Sequence, residues 1–171
     1  MPSDHDTILQ DWREHAARDE ERNFRFLRSL KMVRDPDRID DLAQQLHEDA
    51  FRRIDCTRCA NCCKHMHVRV TAEDIARIAE HRGLTREAFI ATYLTPDPEA
   101  GGHRMNAIPC PFLGTDDRCT IYDVRPQTCR EYPHTDKEGF IWRTYLHTDN
   151  TLKCPAVYDI VTRMRRRLRR R

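Results

Sequence analysis

The chain has 171 residues, of which 39% are hydrophobic and 34% are charged, and its formal net charge is +2. This length suits one compact domain with an arm, and the composition excludes a collagen-like or low-complexity chain. The longest apolar runs are far shorter than the ~20 residues of a membrane-spanning helix, so we expect no membrane span. The first residues resemble no signal peptide, which predicts a cytoplasmic protein.

Two helices are predicted ahead of the first cysteine. Residues 5–34 carry apolar side chains at both ends of a helical pattern, and the middle from Arg13 to Asn23 is almost wholly polar. We expect this middle to be a solvated span of a helix that packs over the domain. Asp35 and Pro36 are typical of an N-cap and a first helical position. The apolar positions of the second helix are Ile39, Leu42, Ala43, Leu46 and Ala50.

The cysteine-rich segment 53–66 is too irregular for a periodic element and predicts a metal-binding loop. A short strand is expected over residues 67–70. Thr71 predicts the N-cap of a helix that ends at Gly83, and Thr85 begins another short helix.

Turn residues dominate the next part of the chain. Residues 96–102 predict a surface loop, and residues 105–134 predict turns with short strands. Residues 140–146 are the best strand candidate, and Pro155 opens a last helix with one apolar face.

These elements predict a mainly α fold with small irregular β pieces, of the α+β class, in which helices pack around a cysteine-ligated metal centre. The predicted parts are an N-terminal helical extension of two helices over 1–49, a cysteine-cluster metal-binding domain over 50–155, and a C-terminal helix with an arginine-rich end over 156–171.

Eight cysteines are the strongest chemical signal in the chain. They are Cys56, Cys59, Cys62, Cys63, Cys110, Cys119, Cys129 and Cys154. In a reducing cytoplasm such a thiol-rich chain favours metal binding over disulfides. Two cysteines separated by two residues can direct both sulfurs at one ion, at about 2.3 Å for zinc. All eight are therefore candidate metal ligands.

The adjacent pair Cys62 and Cys63 restricts how the ligands are grouped. Neighbouring side chains diverge by about 100° in a helix and point to opposite sides of a strand. The pair therefore predicts two neighbouring centres or two sides of one polynuclear cluster. Eight ligands fit two Cys₄ sites, or one four-cysteine cluster and four cysteines with another role.

Spacing leaves zinc and an iron–sulfur cluster nearly equally favoured. Zinc sites usually have two CxxC pairs, and here only residues 56–63 contain that spacing. Bacterial ferredoxins combine CxxCxxC with a remote Cys-Pro, which is present at Cys110 and Cys154. However, the fourth cysteine of the ferredoxin run is replaced by Met66.

Other side chains near the cysteines are candidate ligands or compensating charges. His65 and His67 would face one side of a strand and are weaker ligand candidates than the thiols, and His103 and His134 are weaker still. Arg125 and Arg130 lie near the cysteines in sequence. We expect both to offset the charge of metal thiolates, with ordinary surface arginines as the alternative.

Three motifs carry a resemblance to a known family: CTRCANCC at 56–63, CPFL at 110–113 and CTIYDVRPQTCREYP at 119–133. Together they resemble the YkgJ-type cysteine-cluster family, a zinc- or iron-chelating domain with a CxxCxxCC signature. The resemblance covers about residues 50–155. It implies that the first seven cysteines are metal ligands, with Cys154 as a further member. A related cysteine cluster occurs in flagellin lysine methylases, which implies an iron–sulfur cluster and S-adenosylmethionine there.

The positive charge is concentrated at the C-terminus. Removing the seven arginines of residues 163–171 from the net charge of +2 leaves −5 for residues 1–162. A weak polyanion contact is expected through Arg163, Arg165, Arg166, Arg167, Arg169, Arg170 and Arg171. The alternative is a solvated helix end, where the helix dipole favours cations.

We therefore predict a cysteine-cluster protein that holds zinc or an iron–sulfur cluster, with an unknown protein or redox partner. The first alternative is an iron–sulfur redox or methyl-transfer-associated enzyme component, and the second is an adaptor that binds a polyanion through the arginine-rich tail. The sequence contains no GxGxxG, P-loop or GxSxG motif, and no catalytic residue is predicted.

Overall fold

The computed structural model describes residues 3–169, which are mainly helical with one small antiparallel sheet. The α-helices are α1 Asp4–Ser29, α2 Pro36–Arg53, α3 Cys56–Cys59, α4 Asn61–His65, α5 Ala72–His81, α6 Arg86–Tyr93, α7 Gln127–Glu131, α8 Thr144–Lys153 and α9 Pro155–Arg169. The 3₁₀ turns are Leu30–Met32, Tyr122–Val124 and Phe140–Arg143, and the strands are β1 Arg69–Val70, β2 Leu94–Pro96 and β3 His103–Met105. The predicted helical class with small β pieces is confirmed.

Packing divides the chain into two compact units. Among the described residues, 3–56 and 133–169 form the unit that we call the helical unit, and residues 57–132 form the unit that we call the cysteine unit. The predicted division into 1–49, 50–155 and 156–171 stays a prediction, because it separates the chain by sequence character and not by packing.

The helical unit is built from α1, α2, α8 and α9. Helix α1 packs against α8 and α9, and α9 also packs against α2 and α8. Its fully buried apolar side chains include Leu27, Leu46, Phe140, Ile160 and Met164. Asp35 caps α2 through the Arg38 N–H, and Pro36 is the first helical residue, as predicted.

The polar middle of α1 is mostly solvent-exposed, as its sequence predicts, but one face of it is buried. Asp19 and Asn23 are only 4% and 0% exposed. Asp19 forms ion pairs with Arg22 and Arg165 and accepts a hydrogen bond from the Tyr158 hydroxyl at 3.1 Å. Arg165 also donates to Asn23 Oδ1 at 2.5 Å. This face of α1 can be buried because α9 supplies polar partners for Asp19 and Asn23.

The predicted strand over 140–146 is wrong, since this segment forms the 3₁₀ turn Phe140–Arg143 and the start of α8. The Asp40 carboxylate on α2 accepts hydrogen bonds from the N–H groups of Gly139 and Phe140, at 2.6 and 2.9 Å. These bonds satisfy N–H groups at the beginning of a helical turn. The aromatic and β-branched residues that suggested a strand therefore lie in helical turns.

The cysteine unit contains the sheet, in which β3 lies between β1 and β2. Val70 is paired with His103, and Pro96 is paired with the same residue from the other side. The predicted strand over 67–70 is thus confirmed in its second half, whereas β2 and β3 flank the predicted surface loop. Thr71 and Thr85 cap α5 and α6, as predicted.

An apolar core supports this sheet and the two helices that follow it. It consists of Val68, Val70, Ile75, Ile78, Ala79, Phe89, Leu94, Met105, Phe112 and Ile121. The aromatic side chains of Phe89, Tyr93 and Phe112 pack together, with centroid distances between 4.8 and 6.1 Å.

Segment 53–66 differs from the irregular loop that was predicted. It contains the end of α2 and the two short helices α3 and α4, and Ala60 lies between the short helices with a left-handed φ of 50°. Across the helices of residues 3–169, none has the length and apolar character needed to cross a membrane.

Candidate metal centre

Helix α4 carries two of the eight cysteines, Cys62 and Cys63. Both are partly buried. The Cys62 thiol lies close enough to Cys63 to form a hydrogen bond with it, and this bond is the largest cause of a strongly raised Cys63 pKa. The expected divergence of neighbouring side chains therefore does not keep the two sulfurs apart.

Cys110 is brought to this helix by a backbone contact. Its N–H donates to the Cys63 carbonyl oxygen at 2.8 Å. The bond joins residues separated by 47 positions, so the folded loop places the second cysteine segment against the first.

A tight reversal of the chain then places Cys119 beside Cys110. Cys119 forms an isolated antiparallel bridge with Leu113. The N–H of Gly114 donates to the Arg118 carbonyl at 2.7 Å, and the N–H of Thr120 donates to the Phe112 carbonyl at 2.8 Å. Together these bonds hold the two arms of the reversal together.

Cys129 lies on α7, and α5 holds the beginning of that helix in place. The buried Asp74 carboxylate accepts from the Gln127 N–H at 3.1 Å and from Arg77 at 2.6 Å. Arg77 in turn donates to the Arg125 carbonyl at 3.1 Å. Burial would raise the pKa of Asp74, but these bonds and one from the Thr71 N–H outweigh it, and the pKa is lowered.

Four thiols share one electrostatic neighbourhood. Each pair among Cys63, Cys110, Cys119 and Cys129 interacts strongly enough to raise the pKa of one or both members. Burial is the larger cause in the last three. It raises the pKa of Cys110 to about 11, that of Cys129 to about 12, and that of Cys119 in the same direction. We call these four residues the thiol group.

The thiol group lies at the edge of the apolar core. Cys110, Cys119 and Cys129 pack against this core while remaining partly accessible. A metal site in such a position is shielded on one side, which strengthens the interaction between thiolates and a cation.

Arg125 lies near enough to the thiol group to act on it electrostatically, and its role in offsetting the charge of metal thiolates stays a prediction. Arg125 lowers the pKa of Cys119 and Cys129, although burial outweighs it, and its guanidinium also stacks on the Tyr122 ring at 3.9 Å. Arg130 instead donates to the backbone carbonyls of Arg125 and Asp123, at 3.1 and 2.8 Å.

The donor chemistry of the thiol group fits both metals of the prediction, since thiolate sulfur binds zinc and iron–sulfur clusters. Among residues 3–169, no three His, Cys, Asp or Glu side chains are already arranged as a ready-made metal cage.

The remaining predicted ligands have other positions. Cys62 lies beside Cys63 on α4 and Cys59 ends α3, both in the cysteine unit. Cys56 and Cys154 belong to the helical unit, where Cys56 is exposed and Cys154 is buried between α8 and α9. The weaker candidates His65 and His67 are exposed. The ligand role of all eight cysteines stays a prediction.

The arginines predicted to contact a polyanion have different environments. Arg163 pairs with Asp49 and Asp159, and Arg165 is buried. Arg166, Arg167 and Arg169 are exposed on α9. Arg170 and Arg171 lie outside the described residues.

Sequence reasoning missed Asp74, which links α5 to the helix of Cys129. The signal was available in the pattern Thr71-x-x-Asp74, which forms a capping box in the structure. The second role of the carboxylate, with Gln127, depends on the tertiary structure and leaves no local pattern.

Thiols that three separate segments bring together are typical of cysteine-rich metal-binding domains. The chain belongs to the CxxCxxCC family, described as a "Putative zinc- or iron-chelating domain", which matches residues 55–146. This confirms the family resemblance and indicates zinc or iron chelation. No curated protein and no solved structure matches the chain.

Proposed function

We propose that the chain holds zinc or an iron centre through thiolates, with the thiol group as the ligand set within the cysteine unit. The observation that carries this proposal is the convergence of these four residues: the Cys110 N–H donates to the Cys63 carbonyl at 2.8 Å, and Cys110, Cys119 and Cys129 pack against the same apolar core. Three separate segments contribute these residues, and four thiolates complete the ligand set that a structural zinc or a four-iron cluster takes.

The surrounding charges support the same function. A divalent ion with four thiolates carries a net charge of −2, which favours nearby cations. Arg125 and Lys64 both act electrostatically on thiols of the group. Lys64, which lies on α4, also pairs with Asp117 at 2.6 Å, and this pair joins α4 to the loop between Cys110 and Cys119.

For the form of the metal, we propose an iron–sulfur cluster first and a closed zinc site second. Within the thiol group, Cys110 is followed by Pro111 and Cys63 directly follows the CxxCxxC run of residues 56–62, a combination that is similar to that of bacterial ferredoxins and supports the cluster. A bound cluster would supply one-electron transfer, whereas zinc would connect the three segments structurally. In either case the residues of this chain bind the centre, shield it on the core side and offset its charge.

Metal analysis of protein purified without oxygen tests both that a metal is bound and which form it has. For a cluster we expect iron, acid-labile sulfide and absorbance near 400 nm, and for zinc we expect a colourless protein. Single Cys→Ser variants of the thiol group should each lose most of the metal that these four residues bind. Thr115→Ser, an exposed position in the Cys110–Cys119 loop, is the control and should keep it.

Full metal content and an unchanged Tm in all four serine variants would overturn the assignment of the thiol group. Loss in these variants, with zinc as the metal, would support the ligand set and overturn the iron–sulfur form. The cytoplasmic location, a redox or methyl-transfer role, and the polyanion contact stay predictions. For the last, Arg166, Arg167 and Arg169 are the exposed candidates in the described part of the chain.

A further inference from the structure

The helical unit contains a cavity that the metal site does not use. Its volume is about 730 Å³, and it lies where the end of α1, the 3₁₀ turn Leu30–Met32 and the start of α2 meet the last turn of α9. This volume falls within the range of small-molecule sites, about 300–1,000 Å³.

The floor of the cavity is apolar. Two of its side chains, Leu30 and Ile39, are only 3% exposed and belong to the core of the unit. Phe26, Val33 and Leu168 complete the floor and are partly exposed. A hydrocarbon chain would cover mainly the exposed parts of Phe26, Val33 and Leu168, because Leu30 and Ile39 are already buried, and this covering removes apolar surface from water.

The rim of the cavity is cationic. Arg22, Arg25 and Arg169 line it, and within residues 3–169 the lining contains no carboxylate. Arg22 is paired with Asp19, but that carboxylate also pairs with Arg165.

The other two rim arginines are better placed to meet a ligand. Arg25 has a Glu21 oxygen at 3.5 Å in an exposed pair, which is weak because water competes for both groups. Arg169 is exposed, and α9 carries the exposed Arg166 and Arg167 in the same turn. The rim thus has an excess of positive charge next to an apolar floor.

We propose that this cavity binds a free amphiphilic anion, a fatty acyl carboxylate whose chain lies on the floor and whose headgroup meets Arg25 and Arg169. A small inorganic anion would leave the floor uncovered. A guanidinium matches a carboxylate through paired hydrogen bonds, so the two rim arginines fit this headgroup. The proposal is independent of the metal site.

Titration calorimetry with dodecanoate below its micelle concentration, on the full chain as purified with its metal, tests the proposal. We expect saturable binding near one ligand per chain. Dodecyltrimethylammonium has the same chain with the opposite charge, and butyrate has the same headgroup without the chain. Both should bind at least tenfold more weakly.

Two double variants with equal changes in charge assign the headgroup contact. Arg25→Gln with Arg169→Gln should weaken dodecanoate binding at least tenfold. Arg28→Gln with Arg167→Gln removes exposed arginines of the same two helices outside the lining and should leave binding within twofold. Leu168→Gln should weaken dodecanoate binding and leave butyrate unaffected.

Equal losses in the two double variants would overturn the proposal, since they would indicate diffuse charge attraction. Equal binding of the cationic detergent would overturn it as well. Binding to phosphatidylglycerol vesicles without binding of monomeric dodecanoate would also overturn it, in favour of a surface contact with anionic lipid.

Discussion

The two units of this protein are stabilised in different ways. The helical unit buries long apolar helix faces together with an internal polar network around Asp19 and Arg165. The cysteine unit has short helices, strands of two or three residues, and partly buried thiols at the edge of a small core. The first contains its own partners for its buried charges, whereas the second places like groups together and, by our proposal, depends on a cation.

This difference shows what a bound metal would contribute. Neutral thiols near one another add little to stability, but thiolates bound to a metal join the segments that carry them. Residues 57–132 should therefore depend on the metal, and the helical unit should depend on packing and buried ion pairs.

The largest expected effect is that of metal removal. Chelation under reducing conditions should abolish most amide protection in residues 57–132, because the binding free energy of a structural metal, on the order of 10 kcal/mol, is also folding free energy. Helices α1, α2, α8 and α9 should keep their protection. Hydrogen exchange followed by mass spectrometry measures both, and equal loss in the two units would contradict the comparison.

Asp19→Asn should produce the next largest effect, and only in the helical unit. Removing the carboxylate leaves the buried Arg165 without its charge partner, which costs about 3 kcal/mol. Denaturant unfolding of the metal-loaded protein measures this change. The double variant with Arg165→Met should recover much of the loss, and no recovery would show that the pair is not the cause.

Asp74→Asn should destabilise the cysteine unit by about 2 kcal/mol, since a buried charged acceptor for Gln127 and Arg77 is lost. Metal affinity should fall with it, because Asp74 holds the helix that carries Cys129. Glu73→Gln removes an exposed carboxylate in the same helical turn and is the matched control. Equal effects of the two variants on metal affinity would exclude a positioning role for Asp74.

The smallest effect is a pH dependence that arises from His147 in the helical unit. The ring is fully buried, has no hydrogen-bond partner on either nitrogen, and stacks on Phe140 at 4.1 Å. Burial, followed by the charges of Arg143 and His134, lowers the pKa of His147 to about 3. The unfolded chain therefore binds a proton below about pH 6.5 that the folded chain does not bind.

Stability should consequently fall by about 2 kcal/mol between pH 7 and pH 5 through this residue. Thermal unfolding across this range measures the change, and His147→Leu should reduce the slope. An unchanged slope in the variant would assign the pH dependence to other groups.

Local signals were sufficient for much of the fold. Asp35 with Pro36, Thr71 and Thr85 mark helix starts in the sequence, because capping involves residues only three positions apart. The cysteine spacing also predicted the class of site, since ligand chemistry depends on residue type and reach.

Other features depend on contacts between distant residues. The helical form of 140–146 depends on Asp40, which is about a hundred residues away in sequence. The pairing of Asp19 with Arg165 likewise joins α1 to α9 and buries one face of a segment that is otherwise mostly exposed.

By itself, the sequence determined that this is a mainly helical, cysteine-rich protein of a zinc- or iron-chelating family. Only the tertiary structure decided which thiols are neighbours. It joined Cys63 to Cys110 by a backbone hydrogen bond and brought Cys119 and Cys129 to the same core edge. The physical reason is that caps and ligand pairs act over a few residues, whereas the grouping of thiols depends on how whole segments pack.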